Sequence, residues 1–214
     1  MPRSQEGLAR LIDRMGLRDP RIADAFRSVD RADFVPLDLH EVAYVDRPIG
    51  LPHQQTTSQP SLIALMIDAA RVGPEQRVLE VGTGYGFQTA LLARLAREVV
   101  SIERWGALAE AARGNLRRAG IVGVDVRTGD GFDGCPDAAP FDAVIVSAAT
   151  PRVPTALADQ LAEDGRLVLP LVERGGDIVT VLRKRSGELA TERVVTPARF
   201  VPLVEGPAEA DPPS

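Results

Sequence analysis

The chain has 214 residues, of which 44% are hydrophobic and 26% charged, and its net charge is −5. This is the profile of a globular protein of ordinary domain size, neither disordered nor fibrous. The negative balance argues against a general nucleic-acid binder, and no apolar run is long enough to span a bilayer. Two histidines and one cysteine give no cluster with metal-ligand spacing, so no metal is expected.

A lone cysteine, Cys135, excludes an internal disulfide. The N-terminal residues lack the apolar stretch of a secretory signal, so a reducing, cytoplasmic setting is expected. Nothing beside Cys135 would activate its thiol, and it reads as inert. His53 and Ser58 are close in sequence, but Ser58 lies in no G-x-S-x-G elbow, which leaves serine hydrolysis a poor reading.

The elements follow in order. Residues 4–16 carry Leu8, Leu11, Ile12 and Met15 at helical spacing. A second helix is predicted to start at Asp19-Pro20, with Asp19 as N-cap and Pro20 in the first turn, and to end near Val29. Residues 44–59, with two prolines, one glycine and several Gln, Thr and Ser, read as a long loop of the kind that is usually functional or disordered. From Pro60 the pattern becomes regular: helix 60–71, strand 77–81, helix 87–97, strand 99–103, helix 106–119 and strand 124–128. The apolar run 141–146 reads as a strand buried on both faces. Helix 153–163 and strand 166–172 come next, then strands 178–185 and 193–203 around a Ser186-Gly187 hairpin turn. Residues 205–214, rich in Pro, Ala and acids, are expected to form a disordered tail.

Alternating strands and helices imply a doubly wound α/β sheet, mostly parallel with an antiparallel C-terminal hairpin, whose ligand site lies at the carboxyl ends of the strands. Strand 77–81 runs directly into Gly82, Gly84 and Gly86. Glu103 ends the next strand, 21 positions after Gly82, about where a Rossmann-like unit presents a carboxylate to ribose hydroxyls. A dinucleotide fingerprint would place its third glycine at position 87, which is Phe87. Glu80, on the strand itself, would repel a pyrophosphate but suits an ammonium group. The spacing therefore favours S-adenosylmethionine over NAD, although the glycines alone also fit a plain strand-to-helix turn. Asp130, in Gly129-Asp130-Gly131, is placed to accept from an adenine amino group; read alone, the triplet is simply a turn signal. Ser58 also suits the N-cap of helix 60–71.

Several words beyond the glycine turn resemble those of the protein-L-isoaspartate (D-aspartate) O-methyltransferase family. They are Val29-Asp30-Arg31 with Phe34-Val35-Pro36, Ala43-Tyr44-Val45-Asp46, Gln55-Thr56-Thr57-Ser58-Gln59-Pro60 and Arg77 to Gly84. Gly129–Gly131, Ala139–Asp142, Gly165–Val168 and Arg199–Leu203 continue the series, so the resemblance covers residues 20–203. It implies a class I S-adenosylmethionine-dependent methyltransferase in one domain over 1–204, with helices over 4–29, an active-site loop at 44–59 and a Rossmann-like core from 60. It also implies S-adenosylmethionine as cofactor and, as substrate and only partner, the free α-carboxylate of L-isoaspartyl or D-aspartyl residues in damaged proteins. A monomer without nucleic-acid or membrane partners is expected.

Carried over by position, Ser58 matches the active-site serine, and Thr57, Ser58, Arg199 and Val201 fall on the substrate side. Gln55, Thr56, Thr57 and Ser58 fall beside the donor. So do Glu80, Gly82, Thr83, Gly84 and Gly86, and Glu103 with Arg104, Asp130 and Gly131 complete that set. The departures are Tyr85, where a small residue is usual, and Gln54, where a glycine is customary. They leave open a relative that methylates one biosynthetic peptide, or a non-catalytic module of the same fold.

Overall fold

The computed structural model describes residues 3–206. Helices α1 (Gln5–Asp13) and α2 (Arg21–Ser28) lead through two short 3-10 turns, Arg31–Phe34 and Leu37–Val42, to strands β1 (Ile49–Gly50) and β2 (Thr56–Thr57). The core then runs α3 (Pro60–Ala70), β3 (Arg77–Val81), α4 (Phe87–Ala93), β4 (Glu98–Glu103), α5 (Gly106–Arg118) and β5 (Val124–Thr128). It ends with β6 (Phe141–Val146), α6 (Thr155–Asp159), β7 (Leu161–Glu173), β8 (Gly176–Arg185) and β9 (Glu188–Ala198).

Seven strands form one sheet in the order β5-β4-β3-β6-β7-β8-β9, parallel through β7 and antiparallel beyond it. The winding direction reverses between β3 and β6, and a sheet of this kind opens a crevice at the carboxyl ends of its strands at that point. Both faces are apolar because side chains alternate along each strand. Val78, Ala143 and Ile145 pack among α1–α5 on one face. Leu79, Val81, Val144 and Val146 pack on the other with Leu157 of α6. The run 141–146 thus has the double burial its composition requires.

Several boundaries differ from the sequence reading, each for a local reason. Helix α1 is shorter than 4–16, with the Ser4 hydroxyl accepting from the Gly7 amide. Helix α2 starts at Arg21, with Pro20 in the cap position; the Asp19 carboxylate still accepts from the Arg21 amide at 3.0 Å. Helix α4 stops at Ala93, since the chain must turn before β4 begins at Glu98. Helix α6 is short and β7 early, because the Gln160 carbonyl accepts from Phe141 N at 2.9 Å and draws the chain alongside β6. Asp164 then takes a left-handed conformation where the pairing of β7 with β6 shifts register.

Two differences shape the functional site. The segment 44–59, read as irregular, contains the antiparallel pair β1–β2. Its tip is closed by Leu51 N to the Gln55 carbonyl at 2.8 Å, with His53 and Gln54 both at positive φ. The final strand ends at Ala198 and not at Leu203. Residues 199–204 leave the sheet and cross its rim, where Ala149 N donates to the Val201 carbonyl and Leu203 N to the Ala149 carbonyl. The hairpin before β9 turns at Ser186 and Gly187, both left-handed as a type I′ turn requires. Of the tail 205–214, positions 207–214 lie outside the described residues. No helix among the described residues is long and apolar enough to cross a membrane.

Candidate active site

The crevice at the carboxyl ends of β3, β4 and β6 is walled by the three segments the sequence brings there. The turn Gly82–Tyr85 forms one wall, Glu103–Trp105 another, and Ser147 and Ala148 follow β6. Residues Gln55–Ser58 cover it from the β1–β2 side, and Val201–Val204 from the crossing segment. A second cleft opens beside it between Ser58, Gln59, Leu62 and Leu65 on one side and Thr196–Val201 on the other. Thr56, Ser58, Ser147 and Val201 line both.

Gly82, Gly84 and Gly86 have φ of 97°, 56° and 94°, in the region that favours glycine, and this is what lets the chain turn from β3 into α4. The Glu103 side chain is 5% exposed and holds that turn: Oε2 accepts from Gly84 N at 2.7 Å and Oε1 from Trp105 N at 3.1 Å. Burial pushes its carboxyl above the ordinary range, against the lowering effect of backbone donors at Trp105, Gly84 and Arg104. Each oxygen retains a lone pair beyond these bonds, so the carboxylate can also accept from two ligand hydroxyls. Beside it, the imidazole of His53 stacks on the Trp105 ring at 4.2 Å and 7°. This brings the tip of the 49–57 hairpin down beside Glu103.

Glu80 is placed differently from expectation. It is fully buried behind the crevice wall and does not line it. The alternation of β3 points it, like Val78, toward α4. There Oε2 accepts from Thr89 Oγ1 at 2.5 Å and Ser101 Oγ at 2.6 Å, and Oε1 from Gln88 Nε2 at 3.0 Å. Gln88 Nε2 also reaches Ser147 Oγ at 3.0 Å, and Thr83 Oγ1 lies 2.6 Å from Ser101 Oγ. The carboxylate therefore orients Thr83, Gln88 and Ser147, three polar groups that do face the crevice. With both amide hydrogens of Gln88 engaged, that side chain can offer a ligand only its carbonyl.

Burial pushes the Glu80 carboxyl up to about 7, with the Ser101, Thr89 and Gln88 bonds opposing. The folded protein favours its protonated form, so the stability it contributes is complete below its ordinary value of 4.5 and is lost as pH rises to about 7. Glu80→Gln should abolish this dependence. Calorimetric melting from pH 5 to 8 should show the wild-type Tm falling relative to the variant by on the order of 5 °C. Parallel curves would refute it.

Asp130 also departs from its expected role. Its Oδ1 accepts from Phe132 N at 2.8 Å and Oδ2 from Gly206 N at 2.6 Å, and the residue does not line the crevice. The turn reading of that triplet prevails. Gly131 does line it, and a Cβ there would sit 2.4 Å from Val81 Cγ1, so only glycine allows this close approach. Gly86 packs against Ala112 and Leu116 of α5 and serves the turn alone. Arg104 lines the crevice while donating to the Val204 and Gly206 carbonyls, which ties down the crossing segment. Arg199 reaches only the second cleft, and Val201 lines both.

Ser58 lies at the junction of the two clefts with Thr56. It is not the cap of α3: Gln59 takes that position, and the Asp46 carboxylate accepts from Ser61 N at 2.9 Å. Thr57 lines the first crevice and not the second cleft. Ser147 lines the crevice at the exit of β6, where the strand order puts it, whereas sequence reasoning missed Gln88 and Trp105, although the spacing after the glycine turn and after Glu103 would have placed both at the rim.

Residues 3–208 match the family model described as protein-L-isoaspartate(D-aspartate) O-methyltransferase. The chain belongs to that family. A protein-L-isoaspartate O-methyltransferase of Myxococcus xanthus is 45% identical over 204 residues, which cover 94% of this chain and 96% of that one. Its counterpart in Anaeromyxobacter dehalogenans is 47% identical over 202 residues, covering 94% and 97%. Among solved structures, a protein-L-isoaspartate O-methyltransferase superposes with a TM-score of 0.84 at 29% identity, covering 95% of this chain and 67% of that chain. A Plasmodium falciparum protein solved with S-adenosyl-L-homocysteine gives the same TM-score at 23% identity, over 96% and 100%, and supports the fold. The doubly wound sheet expected from the alternation of elements, and the methyltransferase class of it that the resemblance implies, are the ones observed.

Proposed function

We propose that this family member methylates the free α-carboxylate of L-isoaspartyl and D-aspartyl residues in damaged proteins, with S-adenosylmethionine as donor. The carrying observation is the placement of Ser58 where the donor crevice meets a second cleft, lined by the 58–65 and 196–201 segments, in which we place the peptide. The donor-side residues suit the nucleoside. Glu103 has acceptor capacity for the ribose hydroxyls, Ile102, Trp105 and Leu203 give apolar walls for the base, and Gln88 offers a carbonyl toward an ammonium. When bound, S-adenosylmethionine supplies a methyl group already made electrophilic by its sulfonium.

The remaining requirements fall on the chain's own residues. An isoaspartyl α-carboxyl has a pKa near about 3.5, so it arrives ionised at neutral pH and needs no general base. Ser58 donates a hydrogen bond that holds and orients this carboxylate, with backbone N–H groups of 55–58 beside it. Residues 201–204 and the β1–β2 hairpin exclude water. Correct alignment of reactants is worth on the order of 7–11 kcal/mol of barrier. The methyl ester formed closes to a succinimide without further catalysis, and hydrolysis returns some normal aspartate. We read residues 1–204 as one catalytic unit acting as a monomer in the cytoplasm.

An isoaspartyl peptide and its aspartyl twin, each incubated with methyl-labelled S-adenosylmethionine, test the proposal. Base-labile label should enter only the first. Equal labelling would refute the repair reading, and labelling of neither would move the acceptor to a dedicated peptide.

A further inference from the structure

Arg31 is 1% exposed, yet it carries a charge into the interior. It opens the 3-10 turn after α2, and its guanidinium converges on four main-chain carbonyls. Nη1 donates to Ala43 and Val45 at 3.0 Å each, and Nη2 donates to Arg47 at 3.2 Å and Ser58 at 3.1 Å. The Phe87 ring, at the first position of α4 and directly after the glycine turn, lies under it at 5.7 Å. Nε is buried with no hydrogen-bond partner among the described residues.

This arrangement is costly for a group that merely fills space. Burial lowers the Arg31 pKa to about 10, partly offset by Asp46, and an apolar side chain of similar volume would avoid that desolvation. What the guanidinium alone can do is gather carbonyls from separate parts of the chain. One nitrogen, Nη2, joins the carbonyls of residues 47 and 58, the two ends of the segment that contains the β1–β2 hairpin. Fixing the Ser58 carbonyl fixes the peptide plane at Ser58, and with it the direction in which the hydroxyl leaves the backbone. The ring beneath ties the same group to the start of α4 and so to the donor turn.

We propose that Arg31 is a positioning residue for methyl transfer, acting through Ser58 by setting the acceptor-side loop relative to the donor crevice. The inference rests on the reading of Ser58 given above. A misplacement of about 1 Å at a reacting centre can cost on the order of 100-fold in rate.

A double-mutant cycle over Arg31→Lys and Ser58→Ala tests it, with kcat/KM on an isoaspartyl peptide and calorimetric Kd for S-adenosylhomocysteine. Lysine keeps the charge, but its single nitrogen cannot span four carbonyls. Arg31→Lys should lose about 30-fold with Ser58 present and less than about threefold in the Ser58→Ala background, with Kd moving less than about threefold in either. Equal losses in both backgrounds, with Ser58→Ala itself slow, would overturn the role of Arg31 alone. Ser58→Ala at the wild-type rate would overturn the reading of Ser58 and the inference with it. If Arg31→Lys yields no folded protein, hydrogen exchange of the unaltered protein decides. Protected amides of Thr56–Thr57 should open together with those of the Arg31–Phe34 turn, and independent opening contradicts the proposal.

Discussion

Replacing Ser58 by alanine is expected to lower kcat/KM on an isoaspartyl peptide by about 10- to 100-fold, the equivalent of one hydrogen bond to a charged group. Ser58 is the hydroxyl residue at the meeting of the two clefts whose backbone is held by a buried guanidinium. Its side chain is not needed to cap α3, because Asp46 already serves the Ser61 amide. The substitution should therefore leave the melting temperature nearly unchanged, and S-adenosylhomocysteine should bind within about threefold of wild type, as loss of a single acceptor-side donor implies. Steady-state kinetics with calorimetry separates these quantities. Wild-type turnover would remove Ser58 from the mechanism, and a matching collapse of cofactor binding would make it a donor-side residue.

Glu103→Ala is expected to weaken S-adenosylhomocysteine binding by about 10²- to 10⁴-fold. Two hydrogen bonds between ribose hydroxyls and a charged acceptor are lost, each worth about 1.5–3 kcal/mol in a protein. The substitution also releases the amides of Gly84 and Trp105, so the donor turn loosens as its ligand contacts disappear. Trp105, the single tryptophan of the chain, lines the same crevice, and its fluorescence follows the titration directly. Glu103→Gln, which keeps one acceptor oxygen, should fall between the two. An unchanged Kd for Glu103→Ala would mean that the ribose is bound elsewhere.

The parts of the site carried by local pattern were legible. The strand 77–81, its three glycines and Glu103 at the end of β4 occupy the places their spacing predicted, because a parallel strand delivers its last residue to the rim regardless of distant packing. Glu80 was misread although the signal was present: its parity with Val78 sends it toward α4 and away from the crevice. Asp130 was misread because a short Asp after a strand serves a turn more readily than a ligand, and here both oxygens cap amides.

The remainder depended on long-range contacts that no local pattern encodes. The crossing of residues 199–204 is set by pairing with Ala149, some fifty positions earlier. The early start of β7 is set by Gln160 against Phe141. The left-handed backbone at Gln54 fits the glycine customary at that position, whereas the left-handed His53 leaves no sequence trace; the stack on Trp105 shows what that backbone achieves. Arg31 stood in the sequence only as part of the Val29-Asp30-Arg31 word, and its burial depends on the carbonyls of four later residues that close around it.

The most direct measurement is a crystal structure of the protein with S-adenosylhomocysteine and an isoaspartyl peptide bound together. The ribose hydroxyls should lie within roughly 2.6–3.2 Å of the Glu103 carboxylate, with the peptide's free carboxylate on the Ser58 hydroxyl and facing the sulfur. A nucleoside lodged away from the Gly82–Gly84 turn, or a carboxylate held out of reach of Ser58, would contradict the account.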